Sequence, residues 1–334
     1  MIHRITGLSV NEVYEDLAKL FATEIVDTGT IKSNTINRSS RAGDVHELRG
    51  LCVLEYQRPE LRVLFCPIRD ANPYFHLMEA MWMLAGRCDV EFLAKYSKQA
   101  SGLIIGSASY GHRWRNYFEF DQIAGVINML KQDPGTRRAF LAMWDAQHDL
   151  GSPSKDIPCN VGIKFEIRDG LLEMCVFNRS NDAIWGACGA NVVHMSFLQE
   201  YIAQMVGVPM GSYFQISGNM HVYSEVYQEK MRPYRKDHSL RHFYANLEFE
   251  SLSLVNHVES FDTELKSVLE DATSPRFYRN RFLGDVVRPC MLSWDAWKAK
   301  DYDGALNHAL TIHAVDWATA MTEWLFRHAP KKNA

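Results

Sequence analysis

The pair Asp169-Gly170 stands between two alternating runs, with Val161, Ile163, Phe165 and Ile167 before it and Leu172, Met174 and Val176 after it. Period-two alternation turns one face of each run toward a core, and Asp-Gly supplies the backbone that a two-residue hairpin turn requires. The segment 161–177 is therefore predicted to be an antiparallel hairpin. Its consequence is chemical: Cys159 precedes the first strand and Arg179 follows the second, so a thiol and a guanidinium arrive at the same end. A neighbouring cation favours the thiolate, which is the nucleophilic form.

Helical spacing appears in two further places. Phe75, Met78, Met81 and Trp82 predict a buried helix over 75–84, in which Glu79 is either a polar intruder or a functional acid. Val193, Phe197, Tyr201 and Met205, widened by Leu198 and Ile202, predict a helix from 192 to 206 that stops at Gly207. Asn191 is then a candidate N-cap. Alternation resumes at Tyr213–Ile216, and Gly218-Asn219 predicts a turn before His221 and Tyr223. From about Asn256 the signals are mixed and helical or irregular, with no function legible. No repeat or linker divides the chain, so residues 1–334 are expected to form a single domain.

A net charge of −4 without a long block of like charge argues against a grip on nucleic acid, but leaves room for a small anion held by a few arginines. Arg137 and Arg138 follow an Asp133-Pro134-Gly135 turn, and their planar donor forks suit a phosphate dianion. No stretch approaches the roughly 18 apolar residues that span a bilayer, so the expected location is the cytoplasm, or a host's cytoplasm for a viral protein. Seven cysteines without a CxxC pair make a disulfide framework or structural metal unexpected. Six of them are expected to be small buried hydrophobes.

The ordered motifs Tyr110-Gly111-His112-Arg113-Trp114-Arg115, Asp133 to Arg138, Pro158-Cys159, Arg179-Ser180-Asn181-Asp182, Asn191 and His221-Val222-Tyr223 resemble the thymidylate synthase family and its pyrimidine hydroxymethylase relatives. Arg41-Ala42-Gly43 and the helix bearing Glu79 fit as well, so the resemblance runs from about Arg41 to Tyr223 and fades beyond. It implies an α+β fold: a single large domain whose mixed, mostly antiparallel sheet is packed by helices and lies at a homodimer interface.

Position by position, the resemblance makes Cys159 the nucleophile toward C6 of a pyrimidine nucleotide. It gives the phosphate to Arg41, Arg179 and Ser180, with Arg137 and Arg138 reaching the neighbouring subunit's phosphate site. Asn181 would join the substrate contacts, Asn191 would read the base, and His221 and Tyr223 would hold the sugar. Tyr110 would assist loss of the C5 proton and Glu79 would organise water. Asp182, Glu79 and Trp114 would meet the folate, 5,10-methylenetetrahydrofolate, which is a co-substrate; no metal is implied.

Three departures bear on the product. Asn160 stands where synthases carry histidine after the nucleophile, the stretch 96–110 lacks tryptophan, and the chain ends in the polar run from Arg327 to Ala334. Each is expected to admit water, which favours hydroxymethylation over methylation. Asn191 alone suggests uracil. However, Gly186–Ala190 makes the preceding loop one residue longer than the family pattern, and an amide can flip to serve either base. With Asn160, this tips the reading to a deoxycytidylate (dCMP) 5-hydroxymethyltransferase. The alternatives are a thymidylate synthase and a dUMP hydroxymethylase. Readings of another class are a cysteine hydrolase pairing Cys159 with His221 or His194, and a silent nucleotide binder.

Overall fold

In the computed structural model, which describes residues 1–25, 35–40, 43–97, 108–154, 156–232, 244, 251–274 and 276–330, the predicted hairpin is formed by β6 (Asn160–Arg168) and β7 (Leu171–Asn178). Asp169 and Gly170 both turn with positive φ, 50° and 78°. A two-residue turn of this hand matches the twist of the strands it joins. The hairpin is the middle of a larger sheet, β1-β4-β9-β7-β6-β5, with β1 (Ile2–Gly7), β4 (Leu51–Tyr56), β5 (Phe140–Ala142) and β9 (Met210–Ser217).

A second sheet runs β2-β3-β10-β8, from β2 (Thr35–Ser40), β3 (Gly43–Leu48), β8 (Asn181–Asp182) and β10 (Met220–Tyr223). The α+β expectation is met, with two mixed sheets where one was expected. β1–β4, β7–β9 and β8–β10 pair in parallel, and the other pairings are antiparallel.

Helices cover the inner face. α1 (Val10–Glu24) is capped by Ser9, and α2 (Pro73–Leu84) by Asn72 with Pro73 behind it. α3 (Val90–Ala94), α4 (Tyr110–Arg115), α5 (Gln122–Gln132) and α6 (Ala146–Asp149) lead to α7 (Asn191–Val206), which packs on α2 and ends at Gly207 with φ 92°. Gln199 ties α7 to the sheet by donating to the carbonyls of Leu172 and Gly211 at 2.9 and 3.0 Å. Two buried ion pairs lock the surroundings. Arg62 meets Glu200, and Arg113 of α4 donates through both terminal nitrogens to Asp149 at 2.7 and 2.8 Å. The last third is helical, with segments Phe261–Glu270, Arg288–Lys298, Tyr302–Leu310 and Val315–His328. Its aromatic side chains Trp294 and Trp324 pack on Tyr74 of α2, so one core runs from Ile5 to Leu325. Of the polar C-terminal run, Arg327 and His328 dock here, both in contact with Asp70, and residues 331–334 lie outside the described residues.

The candidate active site

Cys159 lies half-buried at the entrance to β6, on the wall of a cavity of about 510 Å³. Arg179 staples this entrance to the end of β7: its main-chain N–H donates to Cys159 O at 2.9 Å, Nε to Pro158 O at 3.0 Å and Nη2 to Ile157 O at 2.9 Å. The hairpin thus brings thiol segment and guanidinium together as its geometry predicts. Ser180, Asp182, His221 and Tyr223 line the same cavity, as do Arg38, Glu47 and Asn219.

β8 and β10 pair with His221 opposite Asp182. Burial pushes the Asp182 carboxyl upward, against the pull of the Trp185 and Ile184 N–H groups and of His221. Its Oδ1 accepts those two N–H bonds, while Oδ2 is buried without a partner among the described residues. Burial also lowers the His221 pKa, opposed by Asp182 and Glu47. Nδ1 of His221 faces Asn219 Oδ1 at 2.8 Å, and the ring meets Tyr223 edge-on.

Glu79, Tyr110 and Asn191 line a second cavity of about 160 Å³ with Trp82, Asp156 and His194. His194 Nδ1 lies 3.6 Å from Glu79 Oε2, and the Tyr110 ring stands edge-on to His194. Tyr110 lines the second cavity and lies near Cys159, which lines the first. Its hydroxyl is held in the neutral form by burial and by Cys159 nearby, with Asn160 at its side. Asn160 and Asn178 are register partners across β6 and β7, both buried, and none of their four amide atoms finds a partner among the described residues.

Several expectations change. Asn191 is not an N-cap, because a π-helical segment, Ala183–Ala190, runs straight into α7 and makes no side-chain cap there. The segment is kinked at Gly189, with φ −113° and ψ −118°, and Asn191 just beyond it lies on the cavity wall. Trp114 is fully buried core and lines neither cavity. Asn181 is also buried and lines neither cavity; its Nδ2 donates to Gln215 and Ser217 and its Oδ1 accepts from Asn191. Arg137 and Arg138 are exposed on this chain and line neither space. Arg41 lies outside the described residues.

Cys52, Cys66, Cys188 and Cys290 are buried, the first and third with thiols pushed up to about 12 by burial; Cys175 is half-buried and Cys88 exposed. His194, named from the sequence only as the base of a rival cysteine hydrolase, follows Asn191 by one helical turn, a spacing that puts both on one face. Arg38 and Glu47 reach the cavity through strand pairing that no local pattern announces.

Among the described residues no group of side chains is arranged to hold a metal, and no helix is long and apolar enough to cross a membrane. The thymidylate synthase family model matches residues 65–278, a span that includes Cys159 and continues beyond Tyr223. A deoxyuridylate hydroxymethyltransferase of Pseudomonas phage M6 is 40% identical over 309 residues, 87% of this chain and 88% of that protein. Another, of Bacillus phage SP01, is 36% identical over 206 residues, 57% of this chain and 54% of its own. A putative thymidylate synthase of Methanothermobacter thermautotrophicus is 37% identical over 141 residues, 42% and 62% of the two chains. Thiol, arginine and buried carboxylates therefore belong to a one-carbon transferase, and the chain is a member of the thymidylate synthase family.

Proposed function

We propose that this enzyme hydroxymethylates deoxyuridylate (dUMP) at C5. The observation that carries the choice of base is Asn191: the asparagine that suggests uracil lines the same cavity as Glu79 and Tyr110. The names of the two phage relatives point the same way. The cytosine reading drawn from Asn160 and the longer loop yields to it.

In this reading the Cys159 thiolate adds to C6, and Arg179, Ser180 and Arg41 hold the phosphate. His221 and Tyr223 orient the sugar. The folate supplies a carbon at the oxidation level of formaldehyde. The unpartnered Oδ2 of Asp182 suits an N–H of its pterin ring. Tyr110, kept protonated by its surroundings, offers a hydrogen bond where the C5 proton departs, and Glu79 with His194 moves that proton through water. Water also sets the product. Asn160, standing after Cys159 where synthases carry histidine, would help admit water, which favours a hydroxymethyl group over a methyl group.

A second copy completes the site in this reading. The outer face of the larger sheet carries Val53, Phe140, Cys175, Phe177, Phe214 and Ile216, all exposed or half-buried on a single chain. An apolar sheet face of this kind is suited to association. The dimer would bring Arg137 and Arg138 to the partner's phosphate.

The test is incubation with methylenetetrahydrofolate and either dUMP or dCMP, followed by mass analysis. A dUMP product heavier by one CH2O with tetrahydrofolate released is expected. A product heavier by one CH2 with dihydrofolate formed would instead make the enzyme a thymidylate synthase.

A further inference from the structure

Asn191 is the end of a chain of amides whose polarity is set at its far end by the backbone. Gln215 Nε2 donates to Ala187 O at 3.1 Å. A carbonyl can only accept, so this contact fixes which way the Gln215 amide points. Its Oε1 must then accept, and it does so from Asn181 Nδ2 at 2.8 Å, which also reaches Ser217 Oγ at 3.2 Å. Asn181 Oδ1 is thereby turned to Asn191, which donates through Nδ2 at 3.1 Å. Gln215 and Asn181 are buried, so water does not compete for these contacts.

The π-helical segment makes room for the chain. A Cβ on Gly186 would stand 2.6 Å from Asn181 Oδ1 and 3.1 Å from Asn191 Nδ2. The carbonyl of Gly186 accepts the Asn191 N–H, and Ala187 O, the anchor, belongs to the same segment. The kinked segment and the relay are thus joined at Gly186 and Ala187.

We propose that Gln215 and Asn181 are positioning residues that lock the amide polarity of Asn191 and so commit the enzyme to one pyrimidine. Uracil presents a donor at N3 and an acceptor at position 4, while cytosine presents the reverse. An asparagine serves both only if it can rotate its amide by half a turn. Here that rotation would set Asn191 Oδ1 against Asn181 Oδ1, and reversing Asn181 and Gln215 in sequence would set Gln215 Oε1 against the Ala187 carbonyl. The lock rests on the uracil reading above for its direction, and on the relay for its strength.

The experiment measures kcat/KM and Kd for dUMP and dCMP in the full-length enzyme and two pairs of variants. Asn181→Ala frees Asn191 to rotate; the dUMP:dCMP preference is expected to fall about 10- to 100-fold, with dCMP binding tighter than in wild type. Gln215→Met cuts the relay one link further from the base and is expected to shift the ratio in the same direction. Asn181→Asp still offers an acceptor to Asn191 and is expected to keep the preference at reduced stability, as is a Ser217→Ala control. A general loss of packing lowers both activities together and leaves no gain for dCMP. Unchanged ratios in both Asn181→Ala and Gln215→Met overturn the lock. A wild-type preference for dCMP that these variants relax toward dUMP keeps the lock and overturns the uracil reading instead.

Discussion

Cys159 owes its assignment to place as much as to chemistry, since the thiols of Cys52 and Cys188 are raised by burial while Cys159 opens onto the larger cavity. Cys159→Ala is expected to abolish C5 proton exchange as well as net turnover, measured by release of tritium from labelled nucleotide. Exchange at the wild-type rate would remove Cys159 from the mechanism. His221 gives a pH prediction. Its pKa is lowered from 6.5, and a neutral ring with Nδ1–H directed at Asn219 keeps Nε2 as an acceptor for a sugar hydroxyl. The neutral form persists below pH 6.5, so KM for the nucleotide should stay flat on acidification through that value and rise only further down. A rise centred above it contradicts this role. Cys159 and Arg179 were legible because they flank a strongly patterned hairpin, and His221 because of its place in the order of motifs. Asn181 and Gln215 were not, because their contact joins strands 34 positions apart and no local period encodes it.

At the scale of elements, the site depends on how closely α4 approaches α2. A Cβ on Gly111 would come 2.1 Å from Met83 O, so Gly111→Ala must push the two helices apart. Overpacking of this kind costs about 1–3 kcal/mol. Because Tyr110 is the next residue, kcat should fall along with the melting temperature; loss of neither would show that the helices have slack. Arg113→Ala should destabilise by roughly 3–5 kcal/mol in a denaturation experiment, since it strands buried Asp149. The hairpin and α7 could be read from Asp169-Gly170, the apolar period and Gly207. The smaller sheet could not, because β8 is two residues long and β10 four. The last third gave mixed signals because its tryptophans pack on one another and on Tyr74, as well as along a single helical stripe.

For the whole molecule, the proposed dimer through the apolar outer face of the larger sheet would tie activity to association. Ile216→Glu at its centre is expected to give a monomer in sedimentation and to lose turnover. Mixing Cys159→Ala with Arg138→Ala subunits should restore part of the activity, because one mixed site would hold an intact thiol beside an intact partner arginine. No recovery in a preparation shown to contain mixed dimers would confine each site to one chain. The family likeness extends over most of the molecule. In the proposed mechanism the sheet, cavity and thiol would share one purpose, a transient bond between sulfur and a pyrimidine ring. That bond can be trapped. Incubation with 5-fluorodeoxyuridylate and methylenetetrahydrofolate, then proteolysis and mass analysis, should yield one modified peptide carrying nucleotide and folate on Cys159; an adduct on another cysteine, or none, would contradict the account.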